Sequence, residues 1–159
     1  MASLGETFYA YGVFRTRFYD DYLTAAAAGC SHGAAARCSR ATVPADLRGD
    51  WTTGLTEAGF DRTSPAAWLA EGVLVYLSAA EAGQLLTSIT TLSAPGSQLS
   101  LEHSPAATAT LTGQASQMPA MRQYARLWKG GLGDDAPRWL DSHGWQPKLH
   151  DLTAIRISP

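Results

Sequence analysis

Residues 68–102 place the tightest constraint on what this chain can fold into. The run Trp68-Leu-Ala-Glu-Gly-Val-Leu-Val-Tyr-Leu77 is apolar except for Glu71 and Gly72. A strand buried on both faces reads as a near-continuous apolar run, which predicts a strand over Ala66–Glu71. Ser78-Ala-Ala-Glu81 has the form of a capping box, with Ser78 as N-cap and Glu81 at N3. The helix it opens should bury a stripe of Ala82, Leu85, Leu86, Ile89 and Leu92. Ala94-Pro95-Gly96 then turns the chain, and Gln98–Glu102 alternates as a strand, Leu99 and Leu101 on one face, Ser100 and Glu102 on the other. Strand, capped helix, turn and strand make one βαβ unit, parallel and with a right-handed crossover. Ligand sites in α/β proteins lie at the carboxyl ends of such strands. Glu71-Gly72 would then present a carboxylate and a pliable backbone to a crevice. The same residues also describe a buried strand followed by a surface turn, since short apolar runs are ambiguous.

Elements on either side are weaker. Phe14, Phe18, Tyr22 and Ala25 recur at helical spacing, predicting a helix over Val13–Ala28 with Gly29 beyond its end. Cys30–Thr42 has no clear period and reads as an irregular linker. Val43–Leu47 reads as a short strand ending at Asp46, and Asp50–Ala58 as a short helix. Pro105–Gly113 reads as a loop or weak helix. Met121, Tyr124, Ala125 and Trp128 form a helical stripe ended by Gly130-Gly131. Asp134 or Asp135 should cap a last helix carrying Ala136, Trp139, Leu140 and His143 on one face, with Gly144 as its stop. Trp145–Leu149 and Thr153–Ile157 look like strands.

The chain's 159 residues suit one domain. Net charge is −2 with no basic cluster, which argues against a nucleic-acid footprint. No apolar stretch reaches the roughly 20 residues of a membrane helix, and the first residues lack the basic and apolar regions of a signal peptide. Two cysteines, Cys30 and Cys38, are too few for a disulfide framework, so a cytoplasmic location is expected.

Few constellations suggest chemistry. Cys30-Ser-His32 with Cys38 invites a zinc reading, but a structural site wants four ligands and a closely spaced cysteine pair. A fourth ligand would have to come from His103, His143 or His150, so no metal is expected. There is no Gly-x-Ser-x-Gly elbow and no phosphate-binding glycine loop. His103 at a strand end reads either as a crevice residue or as a solvated one. Asp46-Leu47 differs in kind. A carboxylate at a strand's end can accept from an exocyclic amine while the next N–H donates to a ring nitrogen, and together these would read an adenine edge. Asp in that position is also a common N-cap for the next helix.

Arg15–Tyr22, Val43–Trp51, Ala58–Asp61, Trp68–Leu77, Leu92–Ser97 and Leu140–Trp145, in this order, resemble a bacterial family of S-adenosylmethionine-dependent methyltransferases related to the leucine carboxyl methyltransferases. The resemblance implies an α/β fold: a Rossmann-like class I methyltransferase sheet with flanking helices. It implies S-adenosyl-L-methionine as cofactor, with Asp46 and Leu47 as adenine contacts and Glu71 with Gly72 lining the site. Arg17 is the corresponding candidate for the methionine carboxylate. No catalytic residue is assigned. Family members carry, after the first helix, a strand, a glycine-rich turn and a second strand ending in an acidic residue. Here the chain runs from Gly29 through Cys30–Thr42 directly to Val43, a gap exceeding roughly 30 residues, the size of a βαβ unit. The fold is thus expected as a single methyltransferase domain truncated by loss of its first strands. Two functions follow. One is methyl transfer to a small-molecule or carboxylate acceptor. The other is a non-catalytic remnant or interaction module, whose exposed sheet edges would favour self-association.

Overall fold

The computed structural model describes residues 15–26, 41–102, 113, 117–119 and 122–150. The chain divides into two compact units, one of Met1–Arg37 with Pro147–Pro159 and one of Cys38–Gln146. In the first unit, residues 15–26 form helix α1, inside the span expected from the Phe14–Phe18–Tyr22 spacing. Its Tyr19 is buried, and Phe18 packs on Tyr19 and on His150 with ring centroids 5.5 and 5.2 Å apart.

The second unit holds helix α2 (Thr52–Glu57), strand β1 (Ala67–Ala70), helix α3 (Ala79–Leu92), strand β2 (Gln98–Leu101), helix α4 (Arg122–Ala125) and helix α5 (Ala136–Ser142). Strands β1 and β2 pair in parallel, Ala67 opposite Gln98 through Ala70 opposite Leu101. With α3 as crossover they make the expected βαβ unit. The architecture is mixed α/β, a small parallel sheet with flanking helices, in the class expected of a Rossmann-like fold.

Helix α3 starts where its sequence dictates. Ser78 Oγ accepts from the Glu81 N–H at 3.3 Å, and the Ser78 N–H donates to Glu81 Oε2 at 2.7 Å. The expected stripe Ala82, Leu85, Leu86, Ile89 and Leu92 is buried, Leu86 completely. Trp51, Leu74 and Leu77 join it to form the core, with Phe60, Trp68 and Leu99 packed at its margin. Two indoles are anchored on hydroxyls of the same helix end. Trp68 Nε1 donates to Ser93 Oγ at 2.9 Å, and Trp145 Nε1 donates to Thr90 Oγ1 at 2.9 Å. Each hydroxyl in turn donates to a carbonyl one turn back in the helix, Ile89 or Leu86. The amphipathic tryptophans thereby bury their rings with the polar N–H satisfied.

Several expectations are corrected. Val43–Leu47 forms no strand: residues 41–46 have no regular structure and are mostly exposed. Pro44 removes a ladder donor there, and the Asp46 carboxylate draws the backbone into a turn instead. Trp145–Leu149 is likewise not a strand; Pro147 interrupts it, and Trp145 is held by its side chain. The apolar run after Gly72 is not extended either. Leu74–Tyr76 is a turn of 3₁₀ helix, entered through Gly72 at φ +64°. Among the described residues, the stripe ending at Trp128 is helical over Arg122–Ala125, and beyond it the amides of Lys129 and Gly130 bond to Val75. Asp135 occupies the N-cap of α5 without a side-chain cap bond; its carboxylate pairs with Arg138 at 2.6 Å. Most of the Cys30–Thr42 linker, most of Pro105–Gly113, His103, Met121 and Thr153–Ile157 lie outside the described residues, as do Cys30, His32 and Cys38.

Candidate cofactor site

Asp46 opens a tight turn. The Gly49 N–H donates to the Asp46 carbonyl at 2.9 Å, and the Arg48 N–H donates to Asp46 Oδ1 at 3.0 Å. The Arg48 guanidinium closes on the same carboxylate, Nε to Oδ1 at 2.9 Å and Nη2 to Oδ2 at 2.6 Å. These bonds, the side-chain ones first, lower the Asp46 pKa to about 2. The group is therefore a carboxylate, an acceptor only, at any pH near neutrality. The Leu47 N–H lies between these bonded groups and makes no hydrogen bond among the described residues. Asp46 and Leu47 thus offer an ionised acceptor and an open donor from adjacent positions. They do so from an exposed turn, not from a strand end.

The turn connects electrostatically to the start of α3. Glu81 contributes to the field that favours the charged form of Arg48, after the larger effect of Asp46. Glu81 also receives Lys129 Nζ at 3.0 Å. The Ser78 backbone bond, followed by Lys129, lowers the Glu81 pKa to about 2. Asp46 with Arg48, and Glu81 with Lys129, are thus two ion pairs drawn from three segments far apart in sequence. Beside it, Leu47, Arg48 and Asp50 face Gly83, Gln84 and Trp139 across an open groove of about 640 Å³, within the usual size range of small-molecule sites.

Glu71 stands immediately after β1 and is exposed, with the positive φ of Gly72 reversing the backbone behind it. Its neighbour in the register is Glu102, whose N–H donates to the Ala70 carbonyl at 3.3 Å. The chain beyond Glu71 is braced from outside. Lys129 and Gly130 both donate to the Val75 carbonyl, at 2.7 and 3.1 Å, and the Gly131 N–H donates to the Leu77 carbonyl at 2.9 Å. Arg17 belongs to the other compact unit, where it pairs with Asp21 at 3.1 Å.

Sequence reasoning missed Arg48 and Lys129. Opposite charges two residues apart in Asp46-Leu-Arg48 were a usable signal for the first. Lys129 had none, since its partner lies 48 positions away. No group of three or more potential metal ligands occurs among the described residues, nor any helix long and apolar enough to cross a membrane.

Comparison with known proteins adds the family. The model of the leucine carboxyl methyltransferases matches residues 30–90. A protein of Parafrankia sp. (strain EAN1pec) is 47% identical over 119 residues, covering 75% of this chain and 38% of its own length. One from Frankia alni is 37% identical over 180 residues, covering 86% and 64% respectively. One from Mycolicibacterium smegmatis is 42% identical over 121 residues, covering 72% and 40%. Each carries the name putative S-adenosyl-L-methionine-dependent methyltransferase. The chain spans between 38% and 64% of the length of these curated relatives. The Frankia alignment, at 180 residues, is longer than the 159-residue chain, so that relative has residues inside the aligned span with no counterpart here. Over residues 30–90 the chain matches the leucine carboxyl methyltransferase family model, and over the aligned spans it is similar to proteins named as S-adenosyl-L-methionine-dependent methyltransferases.

Proposed function

We propose that the chain serves S-adenosyl-L-methionine-dependent methyl transfer to a small-molecule or carboxylate acceptor. Asp46 and Leu47 hold the adenine edge, and Glu71 lines the crevice at the carboxyl end of β1. One observation carries this reading: an ionised carboxylate and an open backbone N–H on adjacent residues. Adenine presents the complement, an amine donor beside a ring-nitrogen acceptor. The names of the relatives support the same cofactor.

When bound, S-adenosyl-L-methionine supplies a sulfonium-bound methyl group open to in-line displacement. The chain's own contribution is then proximity and orientation. The turn at Asp46 fixes one end of the cofactor, and the bend at Gly72 lets Glu71 and the backbone approach the other. No residue is assigned as general base.

Calorimetric titration with S-adenosyl-L-homocysteine tests the reading. Saturable heat is expected from the native chain, with weaker binding by Asp46→Ala. No heat from a folded sample at millimolar ligand would leave the non-catalytic interaction module as the better description. Unchanged affinity in Asp46→Ala would remove that residue from the site.

A further inference from the structure

We propose that Arg48 is a positioning residue that sets the Asp46 carboxylate in the orientation needed to receive the exocyclic amine of adenine. The proposal rests on the assignment of Asp46 and Leu47 as the adenine-reading pair, and it adds a residue which that assignment does not include.

A carboxylate offers about four acceptor positions on its two oxygens. Arg48 brings three hydrogens to them. Its backbone N–H and its Nε–H go to Oδ1, at 3.0 and 2.9 Å, and its Nη2–H goes to Oδ2 at 2.6 Å. The longer 3.2 Å approach of Nε to Oδ2 shares a hydrogen already used. One acceptor position therefore stays open, and it is on Oδ2. The same residue holds the carboxylate from the backbone and from the side chain, so rotation about either side-chain bond of Asp46 breaks at least one of these contacts. Arg48 is itself held by its paired bonds to the Asp46 carboxylate. The arrangement leaves one acceptor position on Oδ2, on the residue next to the unbonded Leu47 N–H.

The pair is exposed, 55% for Arg48 and 57% for Asp46, so it adds little to folding stability. Its effect falls on ligand selection. A planar guanidinium makes two parallel bonds to a carboxylate, whereas an ammonium acts as a point charge. Lysine at position 48 would keep the charge and lose the orientation.

The experiment compares binding of S-adenosyl-L-homocysteine and of its 6-deamino analogue, whose purine keeps the ring nitrogens but lacks the amine. Four proteins are titrated: wild type, Arg48→Ala, Arg48→Lys and Asp46→Ala. The wild type should prefer the amine-bearing ligand. Arg48→Ala and Arg48→Lys should each lower that preference about two- to fivefold, the range expected for ordering by an exposed charge pair, with unchanged thermal unfolding. Asp46→Ala should abolish it. If both Arg48 variants keep the wild-type preference, or bind more tightly, while Asp46→Ala loses it, the positioning role is overturned and the adenine assignment stands. If Asp46→Ala also keeps it, or the wild type binds neither ligand, the assignment itself fails and the role of Arg48 with it.

Discussion

Gly131 is the position where a single added methyl should do the most damage to the scaffold around Glu71. Its φ is +59°, a left-handed conformation that glycine adopts freely. An alanine there carries roughly 1–2 kcal/mol of conformational penalty. Its Cβ would also stand 2.8 Å from the Leu74 carbonyl oxygen and 3.3 Å from the carbonyl carbon. Those atoms are backbone, part of the 3₁₀ turn that follows Gly72, and cannot rotate away. Relief requires the 129–131 segment to withdraw, which breaks at least one of its three bonds to Val75 and Leu77. A hydrogen bond lost this way is worth about 0.5–1.5 kcal/mol. The sum for Gly131→Ala is about 1.5–3.5 kcal/mol, less about 0.4–1 kcal/mol for a stiffer unfolded chain. Gly133 supplies the control: its φ is +53°, yet nothing lies within 4 Å of an added Cβ. Gly133→Ala should therefore show only the conformational penalty, less about 0.4–1 kcal/mol for a stiffer unfolded chain. Urea unfolding followed by tryptophan fluorescence reads both variants. The shared terms cancel, so a difference of about 0.5–1.5 kcal/mol between them, the lost hydrogen bond, is expected. Equal destabilisation would mean that the 129–131 segment does not brace the turn beyond Glu71.

Two further outcomes follow from the same contacts. Leu86 is fully buried, so Leu86→Ala should destabilise by about 2–5 kcal/mol in the same assay, depending on how far the core closes over the void. A loss under 1 kcal/mol would place it outside the core. Glu81 has its pKa lowered from 4.5 to about 2. A depressed carboxylate stabilises the fold above its unfolded pKa, and that contribution fades as pH falls through the folded one. The stability gap between wild type and Glu81→Gln should therefore close between about pH 4.5 and 2, and a gap that persists at pH 2 contradicts the ion pair and cap as its source.

What was legible in the chain was local. Ser78 and Glu81 define a helix start within four residues, and the stripe from Ala82 to Leu92 repeats often enough to name every buried position. Strand β2 was legible because Leu99 and Leu101 alternate with polar neighbours. Val43–Leu47 and Trp145–Leu149 carried strand-like composition, but a strand exists only with a partner, and Pro44 and Pro147 weaken both. Gly72 was the sign that the apolar run beyond it would bend, and the run's hydrophobicity obscured it. Leu74 and Leu77 are buried in a turn, not a strand. Of the candidate site, Asp46, Leu47 and Glu71 are proposed from residue type, position and the family resemblance. The grip of Arg48 on Asp46 needed geometry, and the Lys129–Glu81 contact joins residues whose separation leaves no pattern to read.

Amide chemical shifts of the isotopically labelled chain, recorded while S-adenosyl-L-homocysteine is added, bear most directly on the adenine assignment. Binding at the proposed site should move the Leu47 N–H downfield as it gains an acceptor, together with shifts at Asp46, Arg48, Glu71 and Gly72. Shifts confined to the other open groove, at Thr53, Thr56, Arg62 and Thr91, with Leu47 unmoved, would contradict it.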